Sequence, residues 1–287
     1  MVAASTCIVC RASQHEHVRA GVFSYARCER CKLVSSVPLP TEAEIVAHYA
    51  RKFGDGNYEL IRRFAPQYRR VYRQFVEILA RMVDLRNGPR VLDVGCFTGD
   101  LLVMLRERGA DVYGLELQRE AVEIAARALP GRIFRADVAG SSFPPGPFDV
   151  VVASGLIEHV TDPVALLRRL HDLLRPGGVL LIETPDSGSA PAHVLGRYWP
   201  PYAPIEHIHL FSKRSLLRAL AGSFVDVRVR PHWKHLPVEY VYEMMANFGP
   251  ALRRVVAPLY EVLPGFARRA ALPFYVGEMI VTARRAG

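Results

Sequence analysis

Residues 90–116 read RVLDVGCFTGDLLVMLRERGADVYGLE, and the fold follows from this stretch. Val91, Leu92 and Val94 form a short apolar run of the kind a fully buried parallel strand carries. The run stops at Gly95-Cys96-Phe97-Thr98-Gly99, where two glycines permit a tight turn and close backbone approach to a ligand. Leu101, Leu102 and Leu105 then recur at helical spacing. A second apolar run, Val112 to Leu115, ends in Glu116, roughly twenty residues beyond Asp93. At that separation a terminal acid holds the ribose hydroxyls of a nucleoside lying on the carboxyl ends of a parallel sheet.

The details choose among nucleoside cofactors. A dinucleotide fingerprint needs G-x-G-x-x-G so that a pyrophosphate can sit on the helix N-terminus. Only Gly95 and Gly99 are present, with Phe97 between them, and Asp93 would repel a pyrophosphate while suiting a positive centre or an amino group. VLDVGCFTGDLL resembles motif I of the class I S-adenosylmethionine-dependent methyltransferases, D-x-G-x-G-x-G, with Phe97 in place of the middle glycine. FDVVVASGLIEHVTDPVALLRRLHDLLRPGGVLLIETP, residues 148–185, matches the later half of the same fold, and the resemblance spans about residues 90–232.

The resemblance implies an α/β fold with a Rossmann-like sheet of seven strands, the last antiparallel. It also implies S-adenosylmethionine as cofactor, held by Asp93, Gly95, Phe97, Gly99, Glu116 and Leu117. Asp137 and Val138 at the third strand's tip would meet the adenine, and Ser154 ends the fourth strand. Apart from the resemblance, Tyr49 and Tyr58 flank the Gly54-Asp-Gly56 bend and are expected to close over a bound cofactor. A nicotinamide-dependent oxidoreductase is the contrasting expectation, opposed by the missing glycines and by Asp137.

The chain has 287 residues, 50% hydrophobic and 23% charged, enough for one α/β domain and a small appendage. No apolar run approaches the ~20 residues of a membrane span. The opening MVAASTCIVCRAS lacks a basic start and an apolar core, so a cytoplasmic location is expected rather than secretion. A net charge of +9 draws acidic partners such as nucleic acid, anionic lipid or phosphorylated substrates. The arginines are spread along the chain, so charge alone does not choose among these, and nucleic acid is the less expected partner.

Cys7-x-x-Cys10 and Cys28-x-x-Cys31 offer four thiolates with the spacing of a structural zinc site. Two disulfides or a redox pair are the alternatives. The first needs an oxidising compartment and the second would not need two knuckles. Residues 1–40 are therefore expected to form a zinc ribbon stabilised by metal binding. Residues 41–88 form a helical linker and cap that starts at the capping box Thr41-x-x-Glu44. Val71, Phe75, Ile78, Leu79 and Met82 are its buried stripe, and Pro66 is expected to break or kink it. Residues 89–232 and 274–287 form the sheet domain. Residues 233–273 are a helical insertion before the last strand, suited to covering the pocket, to a homodimer face, or to peripheral contact with an anionic membrane.

Two further stretches bear on chemistry. His159 follows the fourth strand, at the rim where acceptor and cofactor meet, as a proton acceptor or as a structural histidine. Residues 196–220, GRYWPPYAPIEHIHLFSKRSLLRAL, resemble the segment of sugar C-methyltransferases and related small-molecule enzymes that carries an E-H pair before a Phe-Ser-x-x-x-Leu helix. Here the pair is Glu206-His207, followed by Phe211, Ser212 and Leu216. Pro204 replaces the family's tyrosine. The resemblance implies that Glu206 and His207 deprotonate a small-molecule or carbohydrate-like acceptor. An RNA-modifying enzyme with a nucleic-acid-binding ribbon is the second expectation.

Overall fold

The computed structural model describes residues 5–20, 22–54, 57–140, 143–144, 146–248 and 250–287; the side chains of residues 20, 50–68, 244 and 246–252 lie outside that description. Tyr58, expected at the cofactor, is among those side chains, and part of the bend beside it, at residues 55–56, lies outside as well.

The chain opens with β1 (Ser5–Thr6), β2 (Ser13–Ala20), β3 (Phe23–Cys28) and β4 (Val34–Val37), followed by α1 (Glu42–Gly54) and α2 (Asn57–Ala80). Thr41 and Glu44 form the expected capping box: Thr41 N donates to Glu44 Oε2 at 2.7 Å and Glu44 N to Thr41 Oγ1 at 3.3 Å. The helix α2 runs through Pro66 without the expected break. A proline removes only one backbone donor, and the stripe Val71, Phe75 and Leu79 continues to pack on the sheet.

The larger domain then alternates strand and helix through β5 (Arg90–Val94), α3 (Asp100–Glu107), β6 (Asp111–Glu116), α4 (Arg119–Ala128), β7 (Ile133–Arg135), β8 (Phe148–Ser154), α5 (Pro163–Leu173) and β9 (Leu174–Pro185). After α6 (Ala190–Leu195) come β10 (His209–Leu210), α7 (Lys213–Leu220), β11 (Phe224–Pro237), α8 (Val238–Phe248), α9 (Pro250–Val262), α10 (Gly265–Arg269) and β12 (Ala271–Arg285). Among the described residues the large sheet has seven strands in the order β11-β12-β9-β8-β5-β6-β7. The five strands from β9 to β7 are parallel, and β12 runs antiparallel to both β9 and β11. This is the Rossmann-like methyltransferase sheet expected from the sequence.

Side chains alternate between two cores, one under α5 and α7 (Leu92, Val151, Leu180, Ile182, Phe211, Leu216) and one under α2 and α3 (Val91, Val150, Val152, Leu181, Leu102). Gly114 is pinned in β6 because a Cβ there would meet Cys96 Sγ at 2.6 Å and Leu102 Cδ1 at 2.8 Å.

Two boundaries differ from the sequence expectation. The small N-terminal sheet, order β1-β2-β3-β4-β10, takes its fifth strand from His209–Leu210, beyond the large sheet's fifth parallel strand. The expected insertion begins later: Trp233 lies in β11 opposite Tyr275 of β12, their rings 5.4 Å apart. Its apolar neighbours satisfy a strand that extends past the sheet as readily as a helix, and only α8 to α10 are helical.

Candidate active site

Asp93, near the end of β5, is buried, and this burial, reinforced by the charge of Glu116, pushes its carboxyl up to about 7. The turn that follows places Gly95, Phe97 and Gly99 at positive φ (78°, 48° and 77°). Glycine tolerates this region freely and a phenylalanine does not. Phe97 is held there by a hydrogen bond from its N–H to Glu116 Oε2 at 3.0 Å. Glu116 Oε1 accepts from the N–H groups of Leu117 and Gln118, both at 2.8 Å. The acid thus ties the Gly95 turn to the start of α4, where the helix dipole favours negative charge. A carboxylate has about four lone-pair sites, so one remains for a ribose hydroxyl. Asp137, two residues past β7, is exposed and accepts from Ala139 N at 2.7 Å.

Asp93, Glu116 and Asp137 stand at the carboxyl ends of three adjacent parallel strands. The donor set fits adenosine and an amino-acid arm: the side chains are acceptors, and the ligand offers hydroxyls, amines and positive charge. Leu117 is exposed, Val138 packs on the core beside its carbonyl's bond to Arg169 Nε at 2.9 Å, and Ser154 donates to Glu183 Oε2 at 3.0 Å.

The histidines meet beside this edge. His159 Nδ1 lies 2.7 Å from the Glu206 carbonyl and 2.9 Å from the Tyr49 hydroxyl. His207 Nδ1 lies 2.8 Å from the Pro201 carbonyl, and the two imidazole rings are 5.0 Å apart. Burial, with the neighbouring His159 second, holds His207 below its usual pKa. The Glu206 carboxylate contacts His48 Nε2 at 3.5 Å, so adjacency in sequence does not translate into a direct Glu206–His207 side-chain pair. The carboxylate facing the histidines is Glu158, with Oε1 3.8 Å from His159 Nε2 and Oε2 accepting from Thr184 Oγ1 at 2.9 Å. Burial pushes Glu158 up to about 7. The sequence expectation passed over Glu158, although Ile-Glu-His occurs twice, at 157–159 and 205–207.

The N-terminal cysteines also converge. Cys7 and Cys31 sulfurs lie 3.5 Å apart, Cys10 and Cys28 3.4 Å apart, and all four fall within 4.8 Å of one another. Zinc–sulfur bonds of ~2.3 Å imply sulfur separations of about 3.8 Å in a tetrahedron, so the set fits a zinc ion. Each knuckle closes identically. Arg11 N donates to Cys7 O and Lys32 N to Cys28 O, with Arg11 and Lys32 at φ 63° and 67°. A hydrogen bond with Cys31 pulls the Cys7 thiol down to about 5 and raises its partner. The knuckles brace the histidine segment: Tyr25 Oη donates to the His207 carbonyl at 2.7 Å, and Ser36 N to the Ile208 carbonyl at 2.8 Å.

Comparison with known proteins gives the same picture. The profile of a family described as "Methyltransferase domain" matches residues 64–223. A trans-aconitate 2-methyltransferase of Rhizobium leguminosarum bv. trifolii is 36% identical over 118 residues, covering 40% of this chain and 46% of that protein. A ubiquinone biosynthesis O-methyltransferase of Idiomarina loihiensis is 31% identical over 158 residues, 50% of this chain and 64% of that protein. The chain thus spans about half to two thirds of the length of these curated relatives. Among solved structures, Burkholderia thailandensis 1,6-didemethyltoxoflavin-N1-methyltransferase, with bound 1,6-didemethyltoxoflavin and S-adenosylhomocysteine, superposes with a TM-score of 0.54 at 19% identity, over 95% of this chain and all of that one. That likeness concerns the fold.

Proposed function

Because this chain belongs to the class I S-adenosylmethionine-dependent methyltransferases, we propose that it methylates a small-molecule acceptor of saccharide or natural-product type. The observation that carries the reading is the row of Asp93, Glu116 and Asp137 on adjacent strand tips around the Gly95 turn, beside the histidines. Asp93 would receive the amino group of the methionine arm, Glu116 the ribose, and Asp137 with Val138 the adenine. The cofactor supplies an electrophilic methyl on sulfur. The chain's task is to align an acceptor in line with it and to take the acceptor's proton. His207 is held neutral by burial, so it can accept that proton, with His159 packed beside it and Glu206 adjoining.

We also infer that Cys7, Cys10, Cys28 and Cys31 hold a structural zinc ion. A site closed by four thiolates leaves no open position for chemistry. Its contribution would be to hold the sheet whose Tyr25 and Ser36 fasten the 207–208 backbone.

The test is calorimetric titration of folded, ligand-free protein with S-adenosylmethionine. One equivalent is expected to bind, and Glu116→Ala is expected to weaken binding about 10- to 100-fold, as loss of a hydrogen bond to a charged group implies. A folded protein that does not bind the cofactor would overturn the reading.

A further inference from the structure

Three acceptors converge at the acceptor side of the site. A carbonyl only accepts, so the bonds to Glu206 O and Pro201 O put the proton of each ring on Nδ1. In a neutral imidazole the lone pair then lies on Nε2. His159 Nε2 faces Glu158 Oε1 at 3.8 Å, and one ligand atom each from Glu158, His159 and His207 falls within 4.8 Å of the others. Thr184 fixes the other carboxylate oxygen. Imidazoles whose Nδ1–H is donated to backbone carbonyls, beside a hydrogen-bonded carboxylate, are the outer-shell arrangement that orients metal ligands. The three ligand atoms thus lie close enough together to share one cation.

We propose that Glu158, His159 and His207 bind a divalent first-row transition ion through one carboxylate oxygen and the two Nε2 atoms, leaving open positions for oxygens of the acceptor. Two imidazoles and one carboxylate suit ions from manganese to zinc rather than magnesium or calcium. The Glu158 side chain is 3% exposed and that of His159 21%, so the ligand set is anchored inside and opens outward. The inference rests on the methyltransferase reading and deepens its acceptor side. The acceptor carries a hydroxyl, ideally beside a second oxygen that completes a chelate. Its oxygen loses its proton to water on binding the ion, and an oxygen lone pair then forms the O–CH3 bond as the S–CH3 bond breaks, the sulfonium leaving as a neutral thioether. With the ion bound, His207 serves as ligand and the ion replaces it in ionising the acceptor.

A comparable trio elsewhere shows the contrast. Glu183, His232 and Glu278 also cluster, but Lys234 Nζ lies 3.6 Å from Glu183 Oε1 and contacts Glu278. There an ammonium already supplies the positive charge.

The test is equilibrium dialysis of the zinc-loaded full chain against Co2+, with visible spectra and calorimetric S-adenosylmethionine binding on the same samples. One Co2+ per chain beyond the zinc is expected, with weak d–d bands and no thiolate charge transfer, which separates this site from the cysteines. Glu158→Gln, which preserves shape, and His207→Ala are expected to lower Co2+ affinity on the order of tenfold or more, while Glu183→Gln leaves it unchanged. No retained Co2+, a thiolate–cobalt spectrum, or variants that bind as the parent does would each overturn the proposal. S-adenosylmethionine binding without Co2+ binding would remove this inference alone, and loss of cofactor binding in the parent protein would remove the methyltransferase reading.

Discussion

Asp93 sits where the physics of single residues is most exposed to test. Its carboxyl ordinarily titrates at 3.8 and here is raised to about 7, by burial first and by Glu116 second. A group whose folded pKa lies above its unfolded value adds stability while protonated, fully below the unfolded pKa, and loses it as pH rises through the folded one. For the cofactor-free protein this contribution is on the order of 3 kcal/mol at pH 5 and nearly absent at pH 8. Urea unfolding at both pH values is expected to show that decline in the parent protein and a much flatter profile in Asp93→Asn; equal slopes would show that another group governs it. Asp93, Gly95 and Glu116 were legible in the sequence because strand, turn and terminal acid are consecutive. Glu158 was not, since its facing His207 is brought to it by the fold and local spacing says nothing about that encounter.

At the scale of elements, the N-terminal sheet and the acceptor segment share a strand, which couples stability to chemistry. Tyr25 of β3 is buried and donates to the His207 carbonyl, and β10 pairs with β4. Loss of one such hydrogen bond costs roughly 0.5–1.5 kcal/mol. Tyr25→Phe is therefore expected to lower kcat about 2- to 10-fold while leaving S-adenosylmethionine affinity unchanged, because the cofactor's side of the sheet lies elsewhere. Stripping zinc with a chelator is expected to do the same more strongly and to lower Tm, read by calorimetry. Unaltered kcat in both would sever the ribbon from the site. The elements most legible in the sequence were those with a clear period bounded by turn residues: β5 through β9 and the helices between them. The end of β11 from residue 233 and the start of β12 up to residue 273 fall inside the stretch 233–273 that the sequence pattern presents as helical. Apolar and proline-rich residues there carry no clean period, and the cross-strand pairing that decides the matter, Trp233 opposite Tyr275, is nonlocal. The small sheet's fifth strand escaped notice for the same reason: two residues cannot show a period.

For the whole molecule, the question is what a net charge of +9 does. Nucleic-acid binding needs cations gathered along one face so that several phosphates are neutralised together. Here many described arginines face acids at scattered positions: Arg108 with Glu77 at 2.9 Å, Arg119 with Glu123 at 2.8 Å, Arg132 with Asp111 at 2.7 Å, and Arg175 with Asp149 at 2.5 Å. Such pairs neutralise part of the positive charge where they stand, and the remaining attraction to polyanions is expected to be weak and general. Structured RNA is expected to bind only non-specifically, with Kd on the order of 10−6 to 10−4 M at physiological salt and without preference among folds. Gel shifts across a salt series check this, with an unrelated RNA of equal length as the control. Retention of one RNA at a hundredfold tighter Kd than the control would mean that the charges act in concert, and would make RNA the acceptor in place of a small molecule. Weak, indifferent binding that fades with salt leaves the acceptor to be sought among small hydroxylated molecules, where the chemistry of Glu158, His159 and His207 points.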